Sequence, residues 1–168
     1  MKSGGDTVSQ SVIDIEAYLH THEQLKQAIE GLSENQLKWK ATPEQWSVTE
    51  VLSHLADHNI VVSFRIRELL SGSAAQLPAF KQDPWVSSVQ ANESSADDIL
   101  DVFRALLVFN SQLFRRLTGE DWSKSGVNFK GETVTLEQAV QAFINHVQTH
   151  LRQIERIKQA LPQKETPK

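Results

Sequence analysis

Apolar positions recur at steps of three and four over four long stretches of the chain. Val8, Val12, Ile15, Leu19, His22 and Ile29 mark residues from about 6 to 31 as one amphipathic helix closed by Gly31. The stretch LSENQLKWKATPEQW breaks the period and reads as a loop. Ser47 then opens a second helix, because Glu50 three places on completes a capping box. Its inner face runs Val51, Leu55, His58, Val62, Ile66 and Leu69. The connection SGSAAQLPAFKQDPWVSSVQANESSADD carries Pro78 and Pro84 and is too polar and interrupted for one element. Two short helices and a long crossing are expected there. From Ser95 a third helix presents Ile99, Phe103, Leu106, Asn110, Leu113 and Leu117 on one stripe, with Asn110 its polar exception and Gly119 beyond its end. GVNFKGETVTL predicts a small hairpin around Lys130-Gly131. Thr135 and Gln138 form a second capping box, and a fourth helix runs from there to about Leu161 and stops at Pro162.

Four long amphipathic helices without a run of strands define an all-α fold: a four-helix bundle with a long crossover connection between helices two and three. The length of that crossover allows a non-sequential order of helices. Residues 1–168 are expected to form a single domain, with a disordered tail from about residue 162.

Composition narrows the chemistry. The chain has 168 residues and no cysteine, which removes disulfides, thiolate ligands and a cysteine nucleophile. Any metal site must therefore use His, Asp, Glu and water. Net charge is -4, and the 17 Lys and Arg are scattered, which gives nucleic acid little electrostatic attraction. No stretch approaches the roughly 20 apolar residues of a membrane span and the N-terminus lacks a signal-peptide layout, so a cytoplasmic protein is expected.

The histidines stand out against this background. Two pairs lie four apart, His54 with His58 and His146 with His150, whereas six histidines in 168 residues would yield about 0.18 such pairs by chance. On a helical wheel centred on Phe143, His146 lies at about -60° and His150 at about -20°; centred on Val51, His54 lies at about -60° and His58 at about -20°. All four face inward. Spacing of i and i+4 stacks two imidazoles on one face, close enough to reach one ion, and a third ligand from the other helix, His54 or His58, would complete a set with open positions. Neutral imidazole favours Zn, Ni, Fe or Cu over Mg and Ca. H-x-x-x-H by itself leaves packing and metal binding open, and Val147 excludes the HExxH protease pattern. His22 reads as a core histidine and His20 as solvent-facing.

WSVTEVLSHLADHN and FINHVQTHLRQIERI together resemble the two signature segments of the DinB-like superfamily of metal-binding four-helix bundles, which are frequently dimeric. Trp46, Ser47, His54, Leu55 and Asp57 match the first segment; His146, His150, Leu151, Gln153 and Ile154 match the second. GETVTLEQAV also looks like the family's turn, so the likeness spans most of the chain apart from residues 71 to 95. The resemblance implies a divalent metal, nickel or zinc, on His54, His146 and His150. It thereby selects His54 over His58, which the wheel alone ranks as more central. His58 is then the candidate catalytic or substrate-facing residue. Gln153, nearly one turn beyond His150, reads equally as a residue that orients it or as a plain surface amide, and Asn110 as a candidate partner to the ligands or, more readily, as an amide bonded to a backbone carbonyl.

The expected function is a metal-dependent enzyme, either a thiol-dependent S-transferase or a hydrolase, in which the ion activates a small thiol or water for attack on a small-molecule substrate. Arg65, Arg67 and Arg152 are the cationic candidates for a thiol's carboxylates, though each reads equally as a surface charge. A different class of function also fits: a non-catalytic metal-binding stress-response homodimer, or binding module, in which the ion pins helix two against helix four.

Overall fold

The structure, a computed structural model, describes residues 13–162. Helix α1 (Ile15–Ala28) starts where Asp14 accepts a hydrogen bond from the amide of Ala17, capping the first turn. The start expected for this helix, and the apolar positions Val8 and Val12 on which it rested, lie outside the described residues, as does the tail after 162. Its C-terminal boundary falls earlier than expected, and Gly31, at φ 78°, turns the chain after it.

A five-residue helix, α2 (Glu34–Lys38), occupies the segment expected to be a loop, held by a capping box between Ser33 and Gln36. Helix α3 (Val48–Ser71) begins at the expected capping box. Ser47 Oγ accepts from the Glu50 amide at 3.0 Å, and Glu50 Oε2 accepts from the Ser47 amide at 2.8 Å. The same two side chains are tied outward, Ser47 Oγ donating to Asn92 and Glu50 accepting from Lys40. The helix ends at Gly72 in the left-handed conformation.

The crossover contains one helix, α4 (Gln82–Ser88), followed by a 3₁₀ turn at Ala91–Glu93. Helix α5 (Ala96–Phe114) is capped by Ser95, and α6 (Gly119–Ser123), absent from the expectation, precedes the hairpin. Strands β1 (Ser125–Val127) and β2 (Thr133–Thr135) pair antiparallel with Gly126 opposite Val134. Gly131, at φ 80°, makes the turn. A Cβ on Gly126 would lie 2.7 Å from Leu69 Cδ2, so glycine is what lets β1 press against α3. Helix α7 (Leu136–Ala160) is capped by Thr135 and Gln138 as expected.

The four long helices pack in the order α1, α5, α3, α7 around the bundle, so α1 lies diagonal to α3 and α5 diagonal to α7. This is the non-sequential arrangement that the long crossover permits. Leu52, Leu55, Phe103, Leu107, Phe143, Val147 and Ile154 are buried along the shared core. One polar network interrupts it. Asn110 on α5 donates to Tyr18 Oη at 3.1 Å and to Ser63 Oγ at 2.8 Å, and its oxygen accepts from Arg67 at 3.0 Å. Each amide atom has a partner, so the network links α1, α3 and α5 without leaving that side chain unsatisfied. No helix among the described residues is long and apolar enough to cross a membrane.

Candidate metal centre

Helix α3 carries His54 two turns below its cap and α7 carries His146 and His150 on successive turns. Because these helices pack side by side, all three side chains enter one space. The Nε2 atoms of His146 and His150 lie 3.0 Å apart, and those of His54 and His146 lie 3.3 Å apart. The three residues place one ring nitrogen each within 4.8 Å of the others. His58 is not in this set. Its ring stacks on Phe143, with centroids 5.8 Å apart, and lies 3.9 Å from that of His146. The wheel ranks His58 as more central by its angle to the apolar stripe, yet His54 is the more buried of the two, and the histidine space opens between α3 and α7.

Burial governs the protonation of these rings. It lowers the pKa of His54 to about 3, of His146 to about 4 and of His58 to about 2, with neighbouring imidazoles adding to the shift. His150 is lowered by burial as well, partly offset by its bond to Gln153. Neutral rings with free lone pairs are the form a metal ligand takes.

Hydrogen bonding among the three rings cannot satisfy them. His150 Nδ1 meets Gln153 Oε1 at 2.7 Å; the amide oxygen only accepts, so Nδ1 carries the proton and Nε2 presents a lone pair. His146 Nε2 would have to donate to it, and that single proton cannot also serve the contact to His54. The Nδ1 atoms of His54 and His146 are buried with no hydrogen-bond partner among the described residues. A Zn–N bond of about 2.0–2.1 Å sets tetrahedral ligands about 3.3 Å apart, close to the observed separations. The donor set therefore fits a divalent cation, and the Gln153 contact to the distal nitrogen of His150 is the kind of bond that orients a metal-ligating ring.

Aromatic side chains roof the cluster. Trp46, just before the α3 cap, packs on His54 with centroids 5.0 Å apart and stacks on His150 at 6.3 Å. Phe80, from the crossover, stacks parallel on His54 at 5.5 Å and is met edge-on by Trp85. Sequence reasoning missed Phe80. Its one signal was an aromatic residue, with Trp85 five places on, in an otherwise polar crossing.

Two cavities reach the histidines. One, of about 500 Å³, is lined by Trp39, Trp46, His150, Gln153 and Arg156; the other, of about 540 Å³, has His58 and His146 among its lining residues. Of the three arginine candidates, only Arg65 lines either cavity. Arg67 is tied to Asn110 and Ser63 and lies over Phe109, and Arg152 is exposed and bonds Thr149. Asn110 belongs to the core network and makes no hydrogen bond to the histidines among the described residues; its partners are the side chains of Tyr18, Ser63 and Arg67 rather than a backbone carbonyl. Asp57 is half-buried and outside the cluster; its Oδ2 has no partner among the described residues, and burial raises its pKa. His20 is exposed and His22 half-buried, both on α1 away from the cluster.

A four-helix bundle with three converging imidazoles is a helical scaffold able to hold a metal ion. The chain belongs to the DinB superfamily, whose pattern matches residues 17–154. Two Bacillus proteins named "Putative metal-dependent hydrolase" are similar to it over 131 residues, 77% of this chain and 74% of theirs: one from Bacillus licheniformis, 27% identical, and YfiT from Bacillus subtilis, 24% identical. The solved structure of YfiT, described as "a probable metal-dependent hydrolase with an unusual four-helix bundle topology", superposes with a TM-score of 0.81 at 20% identity, covering 95% of this chain and 91% of that one. A mycothiol-dependent maleylpyruvate isomerase shares the fold at TM-score 0.66 and 11% identity, over 84% of this chain and 61% of its own.

Proposed function

We propose that the chain is a metal-dependent enzyme whose divalent ion, nickel or zinc, is held by His54, His146 and His150, with positions left open for substrate. The convergence of three neutral Nε2 atoms that cannot satisfy one another by hydrogen bonding carries this reading. A bound divalent ion supplies a lowered pKa to a coordinated thiol or water. The chain's own residues do the rest. Gln153 fixes the orientation of His150, Trp46 and Phe80 shield the rings from bulk water, and His58 sits beside His146 on a cavity wall, where its neutral ring can accept a hydrogen bond from a bound molecule.

Between thiol transfer and hydrolysis, one observation favours a thiol cosubstrate: the histidines are reached from two separate cavities, which suits two reactants. The fold is shared both by YfiT, described as a probable metal-dependent hydrolase, and by a thiol-dependent isomerase, and does not choose between them. The test is turnover of a panel of electrophiles by metal-loaded protein with and without a low-molecular-weight thiol. Thiol-dependent consumption supports transfer; equal rates without thiol support hydrolysis. Stoichiometric metal with no turnover of any substrate supports the non-catalytic binding module instead. The homodimer belongs to the same proposal: Ile60 and Phe64 on α3 and Phe109 on α5 are each about half exposed, at 48%, 53% and 59%, and light scattering would measure the mass of the assembly.

A further inference from the structure

The cavity that His58 and His146 help to line has a chemical character of its own. Val62 and Leu69 of α3 and Phe143 of α7 form its apolar walls, and Leu77 of the crossover closes one side. The hairpin contributes Phe129 and Lys130 at the rim, and it is fixed there: Leu77 donates to the Val127 carbonyl, Gln76 to the Asn128 carbonyl, and Gly126 presses on Leu69. The space is therefore built from four segments, α3, α7, the crossover and the hairpin, rather than left between two helices. At about 540 Å³ it is of the size that holds a small organic ligand.

Its charge is one-sided. The protein is acidic overall, at -4, yet no carboxylate lines this cavity, and its charged groups are Arg65 and Lys130. Arg65 is half-buried and has no acidic partner among the described residues. One terminal nitrogen donates to the Pro78 carbonyl at 3.0 Å, which anchors the side chain, while Nε is buried without a partner. Burial lowers the guanidinium's pKa, the mark of a cation short of compensating charge. A half-buried, anchored, uncompensated guanidinium beside apolar walls is a receptor for an anion attached to an apolar body.

We propose that this cavity binds a small amphiphilic carboxylate, its apolar body against Val62, Leu69 and Phe143 and its carboxylate on Arg65, presenting the molecule to the His58 and His146 side of the histidine cluster. This names the substrate class for the proposed metal enzyme and rests on that reading for the purpose of the binding, though the binding itself needs only Arg65 and the walls.

The experiment is isothermal titration of the purified full-length chain with octanoate and with 1-octanol, in wild type, Arg65→Gln and Ala142→Trp, with metal content measured on each preparation. Ala142 is an exposed α7 residue on the cavity wall, so the indole obstructs the space without entering the core. The expected result is one octanoate per chain, bound at least tenfold tighter than octanol in wild type. Arg65→Gln removes that preference, and Ala142→Trp weakens both ligands about tenfold. No saturable octanoate binding, no preference for the acid, or indifference to Ala142→Trp overturns the proposal. So does a preference that survives Arg65→Gln, which would put the carboxylate on Lys130 or the histidine cluster. Substoichiometric metal in wild type would instead count against the metal reading and leaves the octanoate comparison readable.

Discussion

His54 and His146 are separated by 92 positions in the chain, and their Nε2 atoms stand 3.3 Å apart between α3 and α7. Two lone pairs at that distance repel unless a proton or a cation lies between them. His150 brings a third to within 3.0 Å of His146. The protein thus gathers three uncharged donors where packing alone would favour apolar side chains.

Gln153 accepts the Nδ1–H of His150 and so keeps Nε2 free to coordinate. Gln153→Ala should leave the fold intact and weaken metal affinity about 10- to 100-fold, by analogy with other bonds to the distal nitrogen of a ligating His. Competition with a chromophoric chelator would measure it, and an unchanged affinity would show that the contact orients nothing.

Ser47 caps the helix that carries His54 and also donates to Asn92. Ser47→Ala should cost about 1–2 kcal/mol in urea unfolding, the cap together with the lost partner of a part-buried amide. The α3 capping residue is thus expected to affect the site through stability, with metal stoichiometry unchanged.

Asn110 satisfies Tyr18, Ser63 and Arg67 at once. Asn110→Leu should destabilise the fold by about 2–3 kcal/mol, because the Tyr18 hydroxyl and the Arg67 guanidinium lose partners in a buried setting. One metal per chain should remain. Loss of metal from a variant that is still folded would restore Asn110 to the site.

Acid should destabilise the protein. His54, His58 and His146 have pKa values lowered to about 3, 2 and 4 in the folded chain, against 6.5 when unfolded. Below 6.5 the unfolded chain binds protons that the folded chain refuses, so stability falls as pH drops, by up to about 1.4 kcal/mol per pH unit for each histidine. Above 6.5 the contribution is flat. Urea midpoints measured in chelator from pH 7.5 to 5 should stay level and then fall below pH 6.5; a level profile to pH 5 would show the rings to be protonated and solvated.

The four long helices were legible because apolar periodicity and capping boxes mark them, as Ser47-Glu50 and Thr135-Gln138 do. Helices α2 and α6, each of five residues, are too short for a period to register. The order of helices around the bundle depends on contacts between α1 and α5 and between α3 and α7, to which no local pattern refers. The histidine pairs were visible as i and i+4 repeats, but the wheel favoured His58, since it ranks residues by angle to a chosen apolar centre and does not register the flank on which two helices meet. Phe80 and the cavity over Arg65 were not legible, because they are assembled from the crossover and the hairpin, distant segments with no shared pattern.

The central claim is the three-histidine metal site, and metal content by mass spectrometry tests it most directly. Wild type and the four single variants His54→Ala, His58→Ala, His146→Ala and His150→Ala would be purified from nickel- and zinc-supplemented medium and checked for folding by circular dichroism. A site on His54, His146 and His150 predicts about one metal per chain in wild type and in His58→Ala, and loss of stoichiometric metal in the other three, since two ligands rarely retain an exchangeable ion. Full retention in His150→Ala, or loss in His58→Ala with retention in His54→Ala, would contradict it.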